Sequence, residues 1–90
     1  MMELHNRLDL LLNLARELGI DIRSESLGGE GGGMCVLKGR RVLFLDTSAD
    51  IETRYEKTAA AMSAVAELSE RYVPPEVRDD MDRLAGGGTS

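Results

Sequence analysis

The sequence predicts a small α+β domain with the element order α-β-β-β-α-α. It places a three-stranded antiparallel meander against helices on one face. Three observations predict this. Residues 2–18 and 49–72 carry apolar side chains at helical spacing. Residues 20–26, 34–37 and 42–45 lie between them and read as strands. Glycine and proline separate the segments at residues 19, 28–33, 39 and 74–75. Residues 1–85 make one domain with an internal glycine-rich loop at 28–33, and residues 86–90 read as a disordered tail.

The first helix, residues 2–18, places Leu4, Leu8, Leu10, Leu11, Leu12, Leu14, Ala15 and Leu18 within an arc of about 200°. That is wider than a one-sided surface helix needs, so it is expected to touch two neighbours. His5, Asp9, Asn13 and Arg16 form its polar face, and Gly19 suits the left-handed position that ends many helices. The period then changes to two. Ile20 and Ile22 alternate with Asp21 and Arg23, as in a half-buried edge strand whose charges discourage further pairing.

Met34–Leu37 and Val42–Leu45 are apolar at odd and even positions alike, which predicts strands covered on both faces. Gly39-Arg40 between them suits a two-residue type II′ turn. Thr47 or Ser48 is expected to cap a long helix over 49–72, with Tyr55 and Tyr72 as core or interface anchors. Pro74-Pro75 stops that helix and opens a last short one over 75–85, docked by Val77, Met81 and Leu84. Its Asp79-Asp80 pair is expected to be solvated.

Ninety residues with 42 % hydrophobic and 30 % charged side chains describe an ordinary globular domain. Such a chain buries roughly 60–65 % of its unfolded surface. Residues 1–45 hold six basic and six acidic side chains, whereas residues 46–90 hold five and ten, giving the net charge of −5. An acidic half opposes nucleic acid and anionic membranes, because both are bound largely through Lys and Arg. The first residues do not read as a secretory leader, no apolar run approaches a membrane span, and one cysteine makes no internal disulfide. A bacterial-type cytoplasmic protein without nucleic-acid or membrane partners is the expectation.

Candidate chemistry gathers between residues 27 and 41. The glycine run could present N–H groups to an anion, but a phosphate loop of the G-x-x-x-x-G-K-S/T type leads into a helix, and this run leads into a strand with Glu30 in its middle. Cys35, between Met34 and Val36, reads as a small buried hydrophobe, with a reactive thiol as the alternative. The lone His5 and this lone cysteine cannot close a metal site, so neither metal nor cofactor is expected. Lys38, Arg40 and Arg41 concentrate positive charge at the turn.

The resulting expectation is a non-enzymatic interaction module. It forms a homodimer or docks on a larger protein through an open apolar sheet face. Gly31, Gly32, Gly33, Met34, Val36, Lys38, Arg40 and Arg41 are the contact candidates and Cys35 the reactive-thiol candidate. The alternatives are a thiol-dependent enzyme or ligand-binding domain using Cys35 and the glycine loop, and an anion receptor at Lys38, Arg40 and Arg41.

Overall fold

The computed structural model describes residues 2–85. Its elements are α1 (Leu4–Glu17), β1 (Asp21–Glu25), β2 (Gly32–Leu37), β3 (Arg40–Asp46), α2 (Ile51–Met62), a 3₁₀ turn (Ala66–Glu70) and α3 (Pro75–Leu84). The α+β class and the element order agree with the sequence. The tail expected over 86–90 lies outside the described residues.

Gly19 ends α1 as expected. With φ of 77° it lets its N–H donate to the Arg16 carbonyl (3.0 Å), while the Ile20 N–H donates to that of Ala15 (2.9 Å). These two bonds make a Schellman motif and turn the chain from α1 into β1. The leucine face of α1 is used twice over: Leu8, Leu11, Leu12 and Ala15 are buried, and Leu4, Leu10, Leu14 and Leu18 pack partly against the same core.

The sheet corrects the expected antiparallel meander. Its order is β1-β3-β2; β2 and β3 are antiparallel, but β1 and β3 are parallel. The physical reason lies in the strands themselves. β3 carries the bulkiest apolar run, Val42–Leu45, and takes the centre, whereas β1, with Asp21, Arg23 and Glu25, sits at an edge. The loop and β2 together supply the crossover that parallel neighbours require. The turn is also shifted by one residue. Leu37 pairs with Arg40, so Lys38 (φ 52°) and Gly39 (φ 79°) are the central residues, both left-handed as a type I′ turn demands.

Asp50, not Thr47 or Ser48, caps α2, its Oδ1 accepting from the Thr53 N–H at 2.8 Å. Thr47 and Ser48 are engaged elsewhere. The Thr47 N–H donates to the Glu25 carbonyl, and Ser48 donates to Asp46. The helix expected over 49–72 stops at Met62. Ser63 turns its hydroxyl back to the Ala60 carbonyl (2.5 Å), and Val65 is extended. Beyond the break Val65, Leu68 and Val73 join the core. Tyr55 is a core anchor, but Tyr72 is 79 % exposed.

One core polar atom lacks a partner among the described residues: Oγ1 of Thr58, in the middle of α2. An unpaired buried hydroxyl loses its water without compensation. Thr58→Val keeps the shape and removes that cost. Its urea midpoint should rise, by an amount equivalent to about 0.5–1 kcal/mol, with no change in slope.

Candidate functional site

β3 presents alternate residues to the two faces of the sheet. Leu43 and Leu45 join the core with Ile22 and Met34, on the side of all three helices. Val42, Phe44 and Asp46 occupy the opposite face, in register with Gly33 and Cys35 of β2 and with Asp21, Arg23 and Glu25 of β1. No helix of the described residues covers that face. Gly33 has no side chain to shield Phe44, its partner across the ladder. A shallow depression of about 380 Å³ therefore opens between Leu27, Cys35 and Phe44. The Arg23 guanidinium lies over the Phe44 ring, 5.7 Å from its centroid.

The expected two-sided cover of the apolar strands holds for part of β3 only. Val42, Leu43 and Leu45 are buried, whereas Val36 is 65 % and Leu37 43 % exposed. The reason is position: β3 has a neighbour on each side, whereas β2 is an edge strand with β3 on one side only.

The glycine loop is an anion receptor that holds the protein's own anion. The N–H groups of Leu27 (2.8 Å), Gly29 (2.6 Å) and Gly31 (3.1 Å) all donate to the Asp46 carboxylate. The Ser48 N–H (2.9 Å) and hydroxyl (2.7 Å) complete its shell. Asp46 is 0 % exposed. Burial pushes its carboxyl up, but the donors from Leu27, Ser48 and Gly31 outweigh burial and hold it well below the usual carboxylate range. Positive φ at Gly28, Gly29 and Gly31 turns alternate N–H groups inward. These donors are spent on Asp46, so they do not cradle an external phosphate.

The basic residues of the turn are divided between the two faces. Arg40 makes a bidentate pair with Asp21, 3.0 Å at both atoms. Arg41, on the helix side, makes one with Glu67 (3.0 and 2.9 Å). Each arginine thus already has its carboxylate, and Lys38 stands alone and exposed at the tip. Cys35 is half-buried on the sheet face away from the helices, whereas His5 is exposed on α1, so the structure does not bring them together. His, Cys, Asp and Glu form no group of three suited to a metal among the described residues.

Asp80 departs from the expected solvated position. It accepts from Arg7 Nη1 (2.7 Å), from the Tyr55 hydroxyl (2.6 Å) and from Arg83 (3.2 Å), joining all three helices. Burial raises its carboxyl, yet these donors lower it further, while burial and the Asp80 charge push the Tyr55 phenol well above its usual range. A phenol held protonated against an ionised carboxylate is a structural clasp, not an acid–base pair. Asp80→Ala leaves Arg7 and Tyr55 without their shared acceptor and should cost about 2–3 kcal/mol by denaturant titration.

No family model, no curated protein and no solved structure matches this chain.

Neither Asp46 nor the clasp emerges from the sequence reading. A signal existed for Asp80, which stands on the apolar stripe of Val77, Met81 and Leu84 at helical spacing. For Asp46 the only signal was a carboxylate closing an apolar strand in a chain whose glycines needed an acceptor.

Proposed function

We propose that this chain is a non-enzymatic protein-interaction module. It meets a second copy of itself or a larger protein through the sheet face that its helices leave open. The observation that carries this is Phe44 with Cys35, Leu37 and Leu27 on a face with no covering helix. Apolar groups gathered on one exposed surface favour contact over solvation. No helix of the described residues is long and apolar enough to cross a membrane. A cytoplasmic setting, with Cys35 as a free thiol, belongs to the same reading. The thiol-enzyme and anion-receptor alternatives draw no support from a cysteine remote from His5 and arginines already paired.

The test is sedimentation and fluorescent-dye binding at high micromolar concentration. The wild-type chain should associate or bind dye. Leu37→Lys, at an exposed position beside the turn, should weaken either by about tenfold while leaving the melting temperature within ~2 °C. A compact wild-type monomer that binds no dye would overturn the reading.

A further inference from the structure

β2 is the second edge of the sheet, and it lacks what guards the first. β1 carries a charge at three of its five positions; Gly32–Leu37 carries neither charge nor proline. The turn fixes which backbone groups of β2 are free. Leu37 and Arg40 flank a two-residue turn and form the first hydrogen-bonded pair. Alternation then directs the N–H and C=O groups of Gly32, Met34 and Val36 away from β3.

The same three residues face the helix side, where a groove of about 490 Å³ runs between β2 and α2. Ala60, Ala61 and Ala64 form its far wall, and their small side chains leave width for another backbone. Its charges are unequal at the two ends. Arg41, which pairs across from Val36, is held by Glu67. Lys57 stands against Gly31 at the start of β2 and makes no ion pair among the described residues.

We propose that this groove binds an extended segment of another protein as a fourth strand, antiparallel to β2, with an acidic side chain near its C-terminal end beside Lys57. Antiparallel pairing brings the C-terminal end of the incoming strand to the start of β2, where the uncompensated positive charge lies. Main-chain bonds to Gly32, Met34 and Val36 supply register, and every second side chain of the guest meets the alanine wall. Valine, isoleucine or leucine fits there; a run of like charge does not. This surface is distinct from the Phe44 face, so either can fail without the other.

The test uses the full chain and a ten-residue peptide of alternating valine and threonine, amidated and ending in aspartate. Amide shifts should concentrate at Gly32, Met34 and Val36, whose hydrogen exchange should slow. Replacing the terminal aspartate by lysine should weaken binding ~2- to 5-fold, the range for one exposed ion pair. Lys57→Gln, at an exposed site, should erase that difference without preventing binding. A peptide N-methylated at its valines, the residues whose N–H groups face β2 when their side chains meet the alanine wall, should not bind. Four results overturn the proposal: no shifts at millimolar peptide, equal binding of the N-methylated peptide, shifts confined to Cys35, Leu37 and Phe44, or a peptide-free dimer with the Gly32, Met34 and Val36 amides already protected. The last would make a second copy the occupant.

Discussion

Asp46→Ala should be among the most destructive single substitutions in this chain. It removes the acceptor of five hydrogen bonds and leaves the Leu27, Gly29, Gly31 and Ser48 N–H groups without a partner. A donor stranded away from water, as at the buried Gly31, costs more than a lost surface bond, and the others lose the acceptor that gathers the loop. The melting temperature should fall by roughly 15 °C or more, or the cooperative transition should vanish. Asp46→Asn retains one acceptor oxygen but turns an NH₂ toward other donors, so its loss should be intermediate. Hydrogen exchange at Leu27, Gly29 and Gly31 separates this cause from general unfolding, because those amides should be released first.

The same carboxylate sets an acid limit. Its folded value lies below the ordinary aspartate value of about 3.9, so the folded state binds its proton later than the unfolded chain does. The stabilisation is therefore complete above about pH 4 and is lost as pH falls below that. Asp21, Asp50, Glu67 and Asp80 are lowered as well and act in the same direction. Urea titrations from pH 6 down to pH 2 should show falling stability below pH 4 in the wild type, with a shallower fall in Asp46→Asn.

Gly32→Ala should be the next most damaging change. Gly32 has φ of 100°, where L side chains are strained. A Cβ there would run into the Phe44 carbonyl, a fixed part of the β2–β3 ladder. Backbone strain of roughly 1–3 kcal/mol adds to the displacement of the strand. The total should exceed about 3 kcal/mol by chemical denaturation. Gly39→Ala provides the comparison. It has positive φ but nothing near its would-be Cβ, so only the strain remains. Equal losses for the two variants would show that the close approach at Gly32 does not matter.

What was legible beforehand is what depends on near neighbours in the chain. The leucine spacing of α1, the stop at Gly19 and the start at Pro75 are local, and the structure keeps them. The β1–β3 pairing was hidden, because strand order is settled by competition among segments about 20 residues apart. The strand with the bulkiest apolar run, Val42–Leu45, takes the middle. The break after Met62 was hidden by a run of alanines that favours helix on propensity alone. Beyond it Val65, Leu68 and Val73 all reach the core, which helix propensity does not report. The loop's role was also misplaced. Glycine spacing does not show that the N–H groups of Leu27, Gly29 and Gly31 converge on a carboxylate 15–19 positions later. The apolar runs of residues 34–37 and 42–45 are local and form β2 and β3, whereas the commitment of Arg40 and Arg41 to Asp21 and Glu67 depends on the tertiary fold.

The helix clasp has a consequence for the order in which the chain can fold. Asp46 gathers groups separated by fewer than 20 positions, so the sheet and its loop can close among themselves. Arg7 and Asp80 are 73 positions apart, and the Met2 N–H bonds to Glu76 across 74. On a chain emerging N-terminus first, α1 can rest on the sheet but its Arg7 has no counter-ion until α3 arrives. Pulse-labelled hydrogen exchange during refolding should protect the Leu43 and Gly31 amides before those of residues 7–12. A chain ended at Val73 should keep the sheet's protection while its helices exchange rapidly.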